Sequence, residues 1–292
     1  MQAVKYARAS SIDEAVKMLQ EGGSGTRVLA GGTDLIILAR ERRIDVETFV
    51  DVKHVPETTA LSYSDSDGLT VGAALRLYDV YNDPDVRKHY PSLVDSTEVI
   101  GGTAVQGRAT LGGNLCNSSP AADSIPTMIA LNATAYVIGP HGQRDVAVVD
   151  FCTGPGRNVL QNGEFVVSIN FPAPPERSGA AAQRFIPRNE MDIAVVNAAS
   201  ALQFDGGGTV TSARIALGAV AATPLFVPTA GEALIGAPLS DDSIAAAAAA
   251  SRDAASPIDD MRGTIKHRTH LSGVLTERTI RDAAERAGVS LG

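Results

Sequence analysis

The chain has 292 residues, 44% of them hydrophobic and only 4% aromatic, with 28 glycines and a formal net charge of −8. Its length and apolar content suit a globular protein that buries its core without disulfide staples. The acidic balance and the lack of any basic run argue against a nucleic-acid partner, and the longest apolar runs fall far short of a membrane span.

Ser10-Ser11 followed by Glu14 predicts a helix cap, and Ile12, Ala15, Val16 and Leu19 recur at helical spacing until Gly22-Gly23 stops the run. A short strand is expected over residues 27–30, running into Gly31-Gly32-Thr33-Asp34. A short helix over 34–40 and a strand over 49–52 complete a compact βαβ-like unit. Residues 61–74 read as two strands joined by a turn at 65–68. Helices are expected over 77–82, 93–99 and 124–131, with glycine-rich or polar loops at 107–114 and 118–120. A strand over 133–138 turns at 139–142, and a further strand over 165–171 ends in Pro172-Ala173-Pro174-Pro175. Proline continues neither a helix nor a strand, so a domain boundary is expected there. Beyond it, strands over 183–187, 194–203 and 210–220 precede helices over 229–234, 240–255 and 269–287, the pattern of a separate α+β domain. The expected division is 1–55, 56–175 and 176–292.

A strand, then Gly-Gly-Thr-Asp, then a helix leaves several backbone N–H groups unobstructed at a helix start, where a phosphate or pyrophosphate can sit. The segment is neither a GxGxxG fingerprint nor a P-loop. Alone, it is more often a tight turn that needs a positive φ. Thr110-Leu111-Gly112-Gly113-Asn114 has the same chemistry, however, and two such cradles suggest one extended diphosphate ligand gripped from both sides. Cys116 and Cys152 are too few for an iron–sulfur cluster or a disulfide framework, and no metal site is expected. His267 and His270 share a helical face without a third ligand and read as helix surface.

Val28-Leu29-Ala30-Gly31-Gly32-Thr33-Asp34-Leu35, Gln106-Gly107-Arg108-Ala109-Thr110-Leu111-Gly112-Gly113-Asn114-Leu115 and Ser119-Pro120-Ala121-Ala122-Asp123 together resemble the FAD-binding medium subunit of molybdenum hydroxylases. That family includes xanthine, aldehyde, nicotine and carbon monoxide dehydrogenases. Arg184-Phe185, Met191-Asp192-Ile193-Ala194, Arg262-Gly263 and His267-Arg268-Thr269-His270-Leu271 extend the resemblance over nearly the whole chain.

The resemblance implies an α+β fold of the vanillyl-alcohol-oxidase (PCMH-like) type, with two FAD-binding subdomains, a C-terminal α+β domain and non-covalent FAD. It implies that Leu29, Ala30, Gly31, Gly32, Thr33, Asp34 and Leu35 wrap the pyrophosphate and approach the flavin ring. Thr110, Gly112, Gly113 and Asn114 hold the other side of the diphosphate. Asp123 contacts the adenosine ribose, with a helix N-cap as the alternative. Val166 offers backbone hydrogen bonds. Arg184 lies near the flavin edge, with a solvated strand residue as the alternative. Ile193 covers the ring, where carbon monoxide dehydrogenases carry Tyr, and Ile100 and Cys116 line it. Cys116 is expected to act as a small buried hydrophobe, and Cys152 as core.

The implied partners are a large molybdopterin subunit and a small [2Fe–2S] subunit, assembled as a dimer of heterotrimers. This chain would relay electrons to an external acceptor with no catalytic acid or base of its own. A cytoplasmic protein is expected, with membrane association at most peripheral. Two other readings stay open. One is a standalone flavin oxidoreductase of the same fold, which needs its own substrate base. The other is a nucleotide-binding regulator or assembly factor that keeps only the loops.

Overall fold

The computed structural model describes residues 3–289. Its first unit is a parallel three-stranded sheet, ordered Lys5–Arg8, Thr48–Asp51, Thr26–Leu29. Helix Ile12–Gly22 packs on it. The expected cap is shared between two serines: Ser11 Oγ accepts the Glu14 N–H at 3.2 Å, and the Glu14 carboxylate accepts the Ser10 N–H at 2.7 Å. The edge strand Lys5–Arg8 was not expected, because its four residues are mostly exposed and show no apolar alternation.

The second layer is an antiparallel sheet ordered Leu61–Ser64, Gly68–Gly72, Phe165–Phe171, Thr134–Gly139, Gly142–Ala147. Its middle strand, Phe165–Phe171, is apolar almost throughout because both faces are covered. Phe165 and Val167 join Ala15, Leu19 and Val50 in the core of the first unit. Val166, Ile169 and Phe171 join the larger core with Leu77, Leu111 and Ile125. Five short helices cover that second face: Leu77–Asn82, Pro84–His89, Pro91–Thr97, Leu111–Asn117 and Ser124–Ala130. Pro84–His89 went unrecognised. The helix expected over 93–99 starts and ends two residues earlier, with Pro91 at its first position, where a missing N–H costs nothing.

Tyr90 reaches across to the Pro172 carbonyl, its hydroxyl donating at 2.9 Å, as the chain leaves for the third layer. There Ser178–Phe185, Val196–Phe204, Val210–Gly218 and Leu225–Phe226 form an antiparallel sheet. Helices Asp241–Ala254 and Ile265–Arg286 bury Ile244, Ala247, Leu271, Leu275 and Ile280 against it. The closing helix begins four residues before the expected position. Thr264 Oγ1 caps the His267 N–H at 3.2 Å, and Ile265, Lys266 and His267 are exposed, so apolar spacing could not mark the start. Among the described residues no helix is long and apolar enough to cross a membrane.

Candidate functional site

The first glycine-rich segment leaves the strand Thr26–Leu29 and ends at the six-residue helix Leu35–Arg40. Its base is fixed by Lys53, whose ammonium donates to the Ala30 carbonyl at 2.9 Å and to Asp51 at 2.7 Å. Tyr6 donates to the other Asp51 oxygen at 2.7 Å. Burial works against the Asp51 charge, but these donors outweigh it and hold the carboxyl below its usual range. Gly32 sits at φ +74°, in the left-handed region that a side chain resists, and Leu29 packs beneath it. The N–H groups of Gly31, Gly32, Thr33 and Asp34 have no acceptor among the described residues.

The second segment departs from expectation. It is not a loop: Gly112, Gly113 and Asn114 form the first turn of helix Leu111–Asn117. Thr110 caps that turn, its Oγ1 accepting the Gly113 N–H at 2.9 Å. Two glycines here lower helix propensity, which is why sequence alone favours a loop. They are needed for contact, because a Cβ on Gly112 would lie 2.6 Å from the Ala73 carbonyl oxygen. Ser124 donates to Asn114 Oδ1 at 2.7 Å, fixing the amide.

The two segments face each other across a cavity of about 310 Å³. Ala30, Gly31, Gly32, Thr33, Asp34 and Leu35 line one side, and Thr110, Gly112, Gly113, Asn114 and Cys116 the other. Ile100 and Val166 close it with apolar surface. Sequence reasoning missed Leu38, Ala73, Ala74, Leu160 and Glu164 on the same wall. The Ala73-Ala74 pair directly after Gly72 could have marked a close backbone approach, whereas Leu160 and Glu164 carry no local signal. Two bonds from Arg144, at 2.8 and 2.9 Å, hold the Glu164 carboxyl below the ordinary range. Cys116 belongs to the apolar wall, and burial, reinforced by nearby Cys152, pushes its thiol up to about 12.

Leu29, Asp123, Arg184 and Ile193 do not line this cavity. Leu29 is buried under the first segment. Asp123 precedes helix Ser124–Ala130 but makes no capping bond, so the N-cap alternative fails. Its Oδ2 instead accepts from Arg184 Nη1 at 2.8 Å. The Arg184 side chain is only 8% exposed, so the solvated-strand alternative fails too. The two side chains form one ion pair, 2.8 Å apart. The residues expected at separate places, Asp123 at a ribose and Arg184 at a flavin edge, are thus direct neighbours. Burial is the main force raising the Asp123 carboxyl to about 6, against the pull of Arg184. Its Oδ1 is buried and has no hydrogen-bond partner among the described residues. Ile193 is half exposed on a loop whose Met191 lies against Gly102, close in sequence to Ile100.

The third layer grips the segment behind the second glycine pair. Ala219 N–H donates to the Pro120 carbonyl at 2.6 Å, and Asn197 Nδ2 to the Ala122 carbonyl at 3.0 Å. With the Arg184 bond, three contacts hold residues 120–123 against the C-terminal sheet. Among the described residues no cluster of His, Cys, Asp or Glu could hold a metal ion.

Residues 2–174 match the family described as the FAD binding domain in molybdopterin dehydrogenase, and residues 181–283 match the CO dehydrogenase flavoprotein C-terminal domain. The chain is 29% identical over 287 residues to the putative xanthine dehydrogenase FAD-binding subunit of Escherichia coli (strain K12), covering 98% of each. It is 31% identical over 282 residues to the carbon monoxide dehydrogenase medium chain of Afipia carboxidovorans, covering 97% of each. Among solved structures, a chain of quinoline 2-oxidoreductase from Pseudomonas putida 86 superposes with a TM-score of 0.90 at 31% identity, covering 98% of each chain. A chain of the reconstituted CO dehydrogenase from Oligotropha carboxidovorans gives 0.93 at 30% identity, covering 97% of this chain and 98% of that one.

Proposed function

The chain belongs to the FAD-binding family of the molybdopterin dehydrogenases, and from that premise we propose that it is the flavin relay of a heterotrimeric molybdenum hydroxylase. The observation that carries this is the cavity itself: two glycine-rich segments face each other, and four consecutive amides on one of them have no acceptor among the described residues. Successive free N–H groups beside a left-handed glycine form an anion-binding concavity. They suit the pyrophosphate of FAD. The apolar surface of Leu35, Leu38, Ile100 and Val166 suits a flat ring. FAD, when bound, supplies a carrier able to accept electrons singly and hold two.

In this reading Gly31 to Asp34 and Thr110 to Asn114 hold the diphosphate from its two sides. Asp123 and Arg184 act as one unit at one end of the ligand. Asp123 keeps an unpaired oxygen for a hydroxyl, and Arg184 lends positive charge, with Ile193 beside them on the rim. No side chain acts as acid or base on the organic substrate, which is oxidised on a molybdopterin subunit. A small [2Fe–2S] subunit delivers the electrons, and the assembly is a dimer of heterotrimers. Residues 1–55 and 56–175 are the two FAD subdomains, and 176–292 the C-terminal domain. The free thiols Cys116 and Cys152 fit a reducing, cytoplasmic setting.

The test is purification of the chain with its partners from the native source, with flavin, molybdenum and iron analysis. One FAD per chain is expected, and substrate should bleach the flavin only when all three subunits are present. A well-folded chain that purifies without flavin, or that oxidises an organic substrate alone, overturns the reading.

A further inference from the structure

A second cavity, of about 490 Å³, opens between the central layer and the C-terminal sheet, and no residue lines both cavities. Its walls include Pro172-Ala173-Pro174-Pro175, where the chain crosses between layers. The ionisable side chains on the wall are Lys88, His89, Tyr90, Arg214 and Arg286, with no carboxylate among the lining residues. In a chain of net charge −8 that distribution is one-sided.

Arg286 is already paired with Asp95 at 2.6 Å. Arg214 has no ion pair among the described residues. Its Nε and Nη2 donate to the Ile129 carbonyl at 3.3 and 2.9 Å, and its Cζ stands 4.4 Å from the centroid of the Phe226 ring. Both partners are neutral, so this half-buried guanidinium keeps its charge without a counter-ion, and burial lowers its pKa. Buried cations are ordinarily paired. Ser92 lies on the same wall, 1% exposed, and its hydroxyl has no hydrogen-bond partner among the described residues. A buried hydroxyl without a partner is unusual in a folded chain.

We propose that this cavity binds a small organic oxoanion, a carboxylate or a phosphate ester, with Arg214 and Lys88 supplying charge and Ser92 a hydroxyl. Guanidinium suits planar recognition of such oxygens. Because the walls come from two layers, a ligand here ties them together and stabilises only the folded chain. The site is independent of the flavin reading.

The FAD-loaded full chain is titrated with citrate and with glycerol phosphate, against sodium chloride of matched ionic strength, by calorimetry and thermal melting. Saturable binding that raises the melting temperature is expected, with unchanged flavin content. Arg214→Gln weakens it about tenfold, as the loss of one charge-assisted hydrogen bond does. Tighter binding of citrate assigns a carboxylate ligand, and tighter binding of glycerol phosphate a phosphate ester. Lys88→Gln lies at an exposed position and Ser92→Ala removes only a hydroxyl, so both serve if Arg214→Gln does not fold. No saturable binding of either probe, or binding undiminished by both Lys88→Gln and Ser92→Ala, overturns the proposal.

Discussion

Gly31 lies directly against the backbone of Arg108: a Cβ added at Gly31 would stand 2.1 Å from the Arg108 carbonyl oxygen, and Arg108 Nε donates to the Gly31 carbonyl at 3.2 Å. The two glycine-rich segments therefore touch at one edge while staying apart across the cavity. Gly31→Ala has to push them apart, because the opposing atom is backbone and cannot swing away. Loss of FAD on gel filtration is expected, with a folded chain by circular dichroism. Gly112→Ala should act alike, since its Cβ would meet Ala73 at 2.5 Å. Gly113→Ala should be milder, because its only close neighbour is the Thr110 hydroxyl at 2.9 Å. Stoichiometric flavin in Gly31→Ala would show that the contact does not shape the site.

Thr110 is 2% exposed and caps the turn that carries Gly112 and Gly113. Thr110→Ala should destabilise the chain by about 1–2 kcal/mol, the usual cost of a lost cap. It should also speed flavin release, because the Gly113 N–H is no longer oriented. Thr110→Ser keeps the hydroxyl and should restore both. Urea unfolding and the rate of flavin fluorescence recovery on dilution measure the two effects separately. Equal release rates for Thr110→Ala and the parent chain would reduce the cap to a purely structural role.

The first glycine segment was legible because its signal is local: a strand, two glycines and a helix follow one another within 15 residues of chain, from Thr26 to Arg40. The Ser11 cap was legible for the same reason. The second segment was misread as a loop because Gly112 and Gly113 lower propensity, whereas their helical state is set by Thr110 and by contact with Ala73, 39 residues earlier in the chain. The Asp123–Arg184 pair was illegible as a pair. Its members are 61 residues apart, and only the C-terminal sheet packing on residues 120–123 brings them together. Leu160 and Glu164 reach the cavity wall because the strand Phe165–Phe171 sits at the middle of its sheet, a fact of topology with no local signature.

Cys116 touches the cavity, yet burial pushes its thiol up to about 12, so almost none of it is thiolate near neutrality. Iodoacetamide should leave Cys116 unmodified in the FAD-loaded chain and label it fully after unfolding, as read by peptide mass spectrometry. Cys116→Ala should keep its flavin, because the side chain contributes only apolar surface. Rapid labelling of the native chain would show that the thiol is exposed to solvent.

Asp123 gives the chain a pH dependence whose sign is fixed by the direction of its shift. Its carboxyl lies at about 6 in the folded chain against an ordinary 3.8, chiefly because it is buried. The folded chain therefore holds this proton more tightly than the unfolded chain does, and proton binding favours folding. The contribution is complete below the ordinary value and is lost as pH rises through about 6. It amounts to no more than roughly 2–3 kcal/mol. Asp123→Asn has no proton to gain, so its stability carries no contribution from this group at any pH. The stability gap between parent and Asp123→Asn should be widest near about pH 4 and should narrow toward about pH 7. Paired urea unfolding curves across that range measure it, and common titrations elsewhere cancel in the difference. A gap that stays constant, or that widens with rising pH, would mean that Arg184 outweighs burial and that the carboxylate is the form the fold prefers.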